Sequence, residues 1–525
     1  MKIILAILLS ISSSLFAVVK EANYFTIPLA QKITLSHNKP FELNSEILII
    51  VENKNKKMIK NAQFLSDYLN LATGLKLKIT SNQKSKYAII LKKDTSLLNI
   101  EAYTISINDS NIMITGKTEI GVFYGIQTLR KSISGNNPTD SIFFPSVEIN
   151  DSPRFVYRGM LLDVSRHFFS VSFIKKYIDI LALHNINNFH LHLTDDQGWR
   201  IEIKKYPMLT KVGSIRSETV IGRNTGVYDS IPYGGYYTQK EIKEIVRYAA
   251  ERYINVVPEI DMPGHMLAAL ASYPELGCSG LQYNVATKWG VFDDVLCVGN
   301  EKTYRFVENV LSEVISLFPS KYIHIGGDEC MKVKWEKCPK CQLRIVKEGF
   351  KSDSIHRAET KLQSYFIARM EKFLNRKGRQ IIGWDEILEG GLTPNATVMS
   401  WRGTEGGVLA AKQKHNVIMS PNSHLYFNYY QSPTSVEEIY NYNPIPLELA
   451  ADEQKYIIGV QANLWTEYIT TEQQAEYMTL PRLAALCEVQ WTAPEKKNYA
   501  DFLLRIKALK NIYSMYSYNY ATFIF

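Results

Sequence analysis

After about residue 153 the chain repeats one pattern. Eight short apolar runs, each ending in polar residues, alternate with stretches of helical or loop character. The runs are Gly159–Val164, Asn188–Leu193, Asn255–Ile260, Tyr322–Ile325, Gln380–Gly383, Thr397–Ser400, Asn416–Met419 and Ile457–Val460. Such alternation predicts a parallel sheet covered by helices, and eight units over roughly 340 residues fit a closed (β/α)8 barrel. The earlier region reads differently. Ile47–Val51 and Tyr87–Leu91 are strand candidates rich in branched residues, Lys57–Leu71 has apolar positions at helical spacing, and Ile120–Leu129 reads as a second helix. The breakers Gly135-Asn136-Asn137-Pro138 lead toward the next unit. The predicted fold class is therefore α/β: a small α+β domain over residues 18–150, then a (β/α)8 TIM barrel over 151–525.

The first seventeen residues stand apart. Lys2, an apolar run from Ile3 to Leu9 and a Ser-rich stretch ending at Phe16-Ala17 read as a secretory signal peptide. The alternative is a buried N-terminal helix. The apolar run is too short to span a bilayer, so an exported, periplasmic or secreted protein is expected, without a membrane span once the leader is removed.

Composition adds little. A hydrophobic fraction of 46% with 21% charged residues is that of an ordinary soluble domain, and the net charge of +8 is spread thinly over 525 residues. No dense Lys/Arg block suggests a nucleic-acid partner. Six cysteines are too few for a disulfide scaffold. Cys278 and Cys297 bracket one stretch, while Cys330, Cys338 and Cys341 cluster in another, so each group could hold a bridge in an oxidising compartment. The Cys338-Pro339-Lys340-Cys341 spacing also suits zinc, but no second CxxC or neighbouring His pair completes four ligands. The expectation is no metal and no cofactor.

Candidate chemistry decides between a closed barrel and an open doubly wound sheet. Arg166 follows the first run, Asp195 and Asp196 the second, Asp261 and His265 the third, Asp328 and Glu329 the fourth, and Trp384 the fifth. Trp401 follows the sixth, Tyr426 the seventh, and Trp465 and Glu467 the eighth. Only a barrel brings the carboxyl ends of all its strands to one cavity. Within His324-Ile325-Gly326-Gly327-Asp328-Glu329, the adjacent carboxylates are poorly placed to face each other across a sugar carbon, because neighbouring strand residues point apart. They suit a reaction in which the substrate supplies its own nucleophile. The paired glycines imply close approach of backbone and ligand. Three tryptophans at separate strand ends offer indole faces to a sugar or methyl group, and Arg166 offers a fork of donors to vicinal hydroxyls. His190 and His192 share one strand face and could hold a metal, but buried barrel-lining histidines are the expectation.

The motifs His324–Glu329, His192-Leu193-Thr194-Asp195-Asp196-Gln197 and Pro258-Glu259-Ile260-Asp261-Met262-Pro263-Gly264-His265 resemble those of β-N-acetylhexosaminidases of glycoside hydrolase family 20. The resemblance runs from about residue 120 to 490, with weaker signals before it. It implies an exo-acting, retaining enzyme that removes terminal β-linked GlcNAc or GalNAc from a glycan or oligosaccharide through an oxazolinium intermediate. By the same resemblance Glu329 is the acid/base, Asp328 orients the acetamido group, and Tyr426 bonds its oxygen. Trp384, Trp401 and Trp465 wall the N-acetyl pocket, Arg166 and Glu467 bind outer hydroxyls, and His265 with Asp195 forms a relay behind Glu329. Asn428 stands where many bacterial relatives carry Asp, which bears on the preference between C4 epimers. Met331 replaces a common Pro, which reads as a loop change. The competing reading is a catalytically dead carbohydrate-binding barrel, against which the retained Asp328, Glu329, Tyr426, Arg166 and tryptophans argue. An acid role requires a protonated Glu329, and partial burial beside Asp328 is expected to raise its pKa.

Overall fold

The computed structural model describes residues 21–52, 55–133 and 142–525. The expected leader at 1–17 and the breaker segment at 135–138 lie outside these residues. Among the described residues no helix is long and apolar enough to cross a membrane.

Eight parallel strands close into a barrel: β1 (Tyr157–Asp163), β2 (Asn188–His192), β3 (Asn255–Glu259), β4 (Tyr322–His324), β5 (Gln380–Trp384), β6 (Thr397–Ser400), β7 (Val417–Met419) and β8 (Ile457–Leu464). These are the eight apolar runs of the sequence. β1 closes the ring by pairing in parallel with β8, Tyr157 opposite Gly459 and Leu162 opposite Leu464.

Strand side chains alternate between two faces, and in this barrel the alternation sorts two cores. Tyr157, Leu161, Val257, Ile382, Trp384, Met399 and Ile418 fill the lumen. The intervening Met160, Leu162, Phe189, Leu191, Val256, Ile381, Val398 and Val417 join the outer core under the helices. The inward parity carries chemistry as well as packing. On β1 it ends at Asp163, on β2 it places His190 and His192, on β3 Glu259, on β4 His324 and on β5 Trp384, all of them buried.

Ahead of the barrel lies a seven-stranded mixed sheet built from segments between Lys32 and Asp151. It is packed with the helices Lys56–Thr73 and Glu119–Ser132, which start and stop within a few residues of the two helices read from the sequence. Arg158, on the outward parity of β1, fastens this sheet to the barrel. Its guanidinium donates to both carboxylate oxygens of Glu101 at 2.7 and 3.0 Å and to the Tyr124 hydroxyl at 2.8 Å, with Trp491 against its face. A buried bidentate pair of this kind is strong only because every donor is used.

The cysteines depart from expectation. They do not form two local groups: the sulfurs of Cys278, Cys297, Cys338 and Cys341 meet in one cluster, and Cys330 is not part of it. The chain folds the loop after β3 against the loop after β4, so sequence distance misled the grouping.

Candidate active site

Seven of the eight strand ends line one cavity of about 340 Å³ at the carboxyl end of the barrel, and the loop after β3 stands behind it. Its lining includes Arg166, Asp328, Glu329, Trp384, Trp401, Tyr426, Asn428, Trp465 and Glu467, together with Arg223, Tyr429 and Tyr468. The last three were not singled out from sequence. Arg223 lies in the long connection after β2 and covers the Tyr468 ring at 5.4 Å. No periodicity marks such a loop residue.

One wall is aromatic. Trp401 stacks on Tyr426 with centroids 6.1 Å apart and planes 14° from parallel, and Trp465 lies 5.8 Å from Trp384 and 6.2 Å from Tyr426. Two of the indole N–H groups are bonded within the protein: Trp384 donates to Glu259 and Trp401 to Glu386, both at 2.9 Å. The faces are thereby left for a ligand.

Beside the aromatic wall lies a charged group. Arg166 is held by Asp195 (2.8 Å), Asp163 (3.2 Å) and Gln197 (3.1 Å) and lies over the Trp465 ring. Asp163 also accepts from the backbone of Ser165 and Thr466, tying the loops after β1 and β8 together. His265 stands between the two acidic loops. Its Nδ1 lies 3.0 Å from Asp196 Oδ2 and 3.3 Å from Asp195 Oδ1. Its Nε2 faces Glu329 at 3.4 Å and Asp328 at 3.8 Å. The shorter carboxylate contact behind His265 is therefore Asp196, which carried no role in the sequence reading, while Asp195 is shared with Arg166 and His192.

Two local features of the loop after β4 were read differently from sequence. Asp328 and Glu329 lie beyond the last strand residue, His324, so strand alternation does not govern them. Positive φ angles at Gly326 (66°), Gly327 (97°) and Glu329 (45°) turn both carboxylates toward His265. The glycines, moreover, make room for protein. A Cβ on Gly326 would fall 1.7 Å from Asp261 Oδ1, and the Gly327 N–H donates to that same oxygen at 3.3 Å. A left-handed non-glycine backbone costs about 1–3 kcal/mol and persists where the surroundings impose it. Both Glu329 and His265 (φ 52°) adopt it.

Protonation also differs from expectation. Burial, with the charges of Glu259 and Glu329, pushes Asp328 up to about 6. Glu329 moves down, because His265 hydrogen-bonds to it and outweighs its burial. With 39% of its side chain exposed, Glu329 is open to the cavity. His265 is itself driven well above its usual value: burial opposes charge, but Asp195, Asp196 and Glu329 surround it. Glu386, buried near Asp328, rises to about 8.

Below the cavity, Glu259 is the hub of the lumen. His192 Nδ1 and His190 Nε2 (3.1 Å) approach one oxygen, while His324 Nδ1 and Trp384 Nε1 approach the other at 2.9 Å each. Burial favours its neutral form, but the three imidazoles hold Glu259 well below the usual carboxylate range. His190 and His192 thus line the barrel around a carboxylate. Glu259 lay inside a motif already noted, and its inward parity on β3 was the signal that could have assigned it.

Three acceptors around the cavity are buried and have no partner: Asp328 Oδ1, Asn428 Oδ1 and Glu467 Oε2. Orphaned buried acceptors cost about 1–3 kcal/mol each, so three converging on one cavity mark where a ligand's donors belong.

Residues 155–494 match the catalytic domain of glycosyl hydrolase family 20, and residues 23–152 match domain 2 of that family. A β-hexosaminidase of Porphyromonas gingivalis is 45% identical over 513 residues, covering 94% of this chain and 64% of that protein. The chain therefore spans less than two thirds of that relative's length. Among solved structures, the GH20 β-N-acetylhexosaminidase of Streptomyces coelicolor is 30% identical with a TM-score of 0.81, covering 94% of this chain and 97% of that one. The GH20 exo-β-N-acetylglucosaminidase of Vibrio harveyi, solved in complex with N-acetylglucosamine, is 30% identical with a TM-score of 0.83, covering 96% and 79%. With both domains matched in order and the cavity within the catalytic one, the chain belongs to glycosyl hydrolase family 20.

Proposed function

We propose that the chain is an exported, exo-acting, retaining β-N-acetylhexosaminidase whose nucleophile is the substrate's own 2-acetamido oxygen. The observation that carries the reading is the unpartnered Asp328 Oδ1 inside an aromatic box. That oxygen can accept the acetamido N–H, while Trp384, Trp401 and Trp465 enclose the methyl group and Tyr426 donates to the carbonyl oxygen. So held, the carbonyl oxygen attacks C1 as Glu329 gives its proton to the departing glycosidic oxygen. The resulting oxazolinium cation is balanced by Asp328. A water that loses its proton to Glu329 then opens the ring at C1, restoring the acetamide and the original configuration. Arg166, Glu467 and Asn428 take the outer hydroxyls, which closes the cavity beyond one terminal sugar.

The proton inventory fits one proton shared between His265 and Glu329, with Asp195 and Asp196 behind. A sugar covering the mouth excludes water from Glu329, which favours its neutral form and moves the shared proton onto it. The test compares aryl β-GlcNAc, β-GalNAc and β-glucoside in one buffer. Turnover of the first two without the third is expected, since the glucoside lacks the internal nucleophile. Comparable turnover of the glucoside, or a sugar trapped as an ester on a protein side chain, would overturn the reading.

A further inference from the structure

We infer that Cys278, Cys297, Cys338 and Cys341 form a structural zinc site that clamps the loop after β3 to the loop after β4. The four sulfurs all lie within 4.8 Å of one another. Three of the separations are 3.7 Å (Cys297–Cys338), 3.8 Å (Cys297–Cys341) and 3.9 Å (Cys278–Cys341). Zinc binds thiolate at about 2.3 Å in a tetrahedron, and the edge of that tetrahedron is about 3.8 Å. The sulfurs are thus spaced as four donors around a common centre. Cys297 and Cys341 each have two sulfur neighbours at nearly equal distance, whereas bridging would single out one.

The sequence reading set zinc aside because Cys338-Pro339-Lys340-Cys341 lacked two more ligands. The fold supplies them from the previous loop. An antiparallel bridge between Gly277 and Leu296 brings Cys278 and Cys297 side by side. The Trp335 indole donates to the Leu296 carbonyl at 2.9 Å, and Gly299 packs so tightly on the backbone of Lys340 and Cys341 that a Cβ there would fall 2.2 Å from it. Cys297, Cys338 and Cys341 are buried and Cys278 is partly exposed. Binding releases the thiol protons and leaves a tetrathiolate centre with two net negative charges. Cys338 caps the helix Pro339–Glu348 at its positive end, which favours that charge.

The clamp bears on the catalytic loops. The loop after β3 carries His265 and the loop after β4 carries Asp328 and Glu329. Gly264 already lies against Asp328 and Cys330, where a Cβ would meet backbone at 3.1 and 3.2 Å. A metal that fixes the far ends of both loops would hold the His265–Glu329 contact at its 3.4 Å separation.

The experiment measures metal by mass spectrometry in the full chain, purified without chelator or added metal, alongside its intact mass under denaturing, non-reducing conditions. About one zinc per chain is expected, with six free thiols after denaturation in chelator. The Cys278→Ser/Cys338→Ser double variant should fall to about zero zinc, while Cys487→Ser, outside the cluster, keeps it. Because the double variant could fail to fold, cobalt exchanged into the wild-type chain provides a second readout, the intense absorption of a tetrahedral cobalt thiolate. A metal-free chain whose mass is four hydrogens short would overturn the inference in favour of two disulfides. A metal-free chain with six reactive thiols, or stoichiometric iron in place of zinc, would overturn it as well. None of these readouts depends on turnover of any glycoside.

Discussion

The floor and the mouth of the barrel are built from the same residue types to opposite ends. At the floor, Glu259 has ring nitrogens within 3.1 Å of both carboxylate oxygens, and the group is held ionised well below its usual range. At the mouth, Asp328 keeps one oxygen buried and unpartnered, and burial with neighbouring acids pushes it up to about 6. Both carboxylates descend from adjacent barrel strands. The difference teaches that a buried acid stabilises the fold when the protein completes its shell, and is left to the ligand of the proposed function when the shell stays open.

The largest expected effect lies at the mouth. Glu329→Gln should lower kcat/KM on an aryl β-N-acetylhexosaminide by about 100- to 10,000-fold, the range of a lost general acid/base. Its melting temperature should fall only slightly, because that side chain is 39% exposed and its charged partner His265 keeps Asp195 and Asp196. A loss below tenfold would remove Glu329 from the proposed chemistry.

The floor should answer in the other currency. Glu259→Gln leaves imidazoles assembled around a missing charge and should destabilise the fold by about 3–5 kcal/mol in urea or thermal unfolding. The pH sign follows from a depressed folded pKa. The stabilisation is present above the unfolded value of about 4.3 and is lost as pH falls further, so the gap between variant and wild type should narrow in acid. A gap that widened in acid would contradict the ionised state assigned to Glu259.

Asp328→Asn should separate the two regions within one side chain. Activity is expected to fall about 100- to 1,000-fold, as for a lost group that stabilises developing charge. Stability should move the opposite way. Asp328 titrates near 6 in the fold against 3.8 in a free chain, so its ionisation opposes folding. Relative to Asn, wild type loses stability as pH rises through that window, by about 3 kcal/mol at most once fully ionised. The variant should match wild type near pH 4 and exceed it above pH 6. Unfolding curves at the two pH values decide the point.

These contrasts also mark what was legible in the sequence. Strand positions were legible because apolar runs of barrel strands are continuous and end in polar residues. The mouth was legible because its residues follow those ends directly, as Trp384, Trp401 and Trp465 do. The expected rise in the Glu329 pKa was wrong in direction: it counted partial burial and Asp328, and the fold adds a hydrogen bond to His265 that outweighs the burial. The glycine pair was read as room for ligand, whereas Asp261 fills the space at Gly326 and Ile387 that at Gly327. The cysteine cluster was illegible, because its members come from two loops that only barrel closure brings together. Arg223 and Tyr429 were missed for the same reason, being loop residues placed by tertiary packing.

The smallest effect sharpens the comparison furthest. Asn428 Oδ1 is a neutral buried acceptor without a partner, so a bound hydroxyl would give it one ordinary hydrogen bond worth about 1 kcal/mol. Asn428→Ala removes that bond and also removes the orphaned atom. Activity should fall only about fivefold, carried by KM with kcat nearly unchanged, as for a contact made equally in ground and transition states. Stability should stay level or rise slightly, since no protein donor loses its acceptor. If Asn428→Ala instead unfolded as readily as Glu259→Gln, Asn428 would belong with the completed shell of the floor, and unpartnered acceptors would no longer distinguish the mouth.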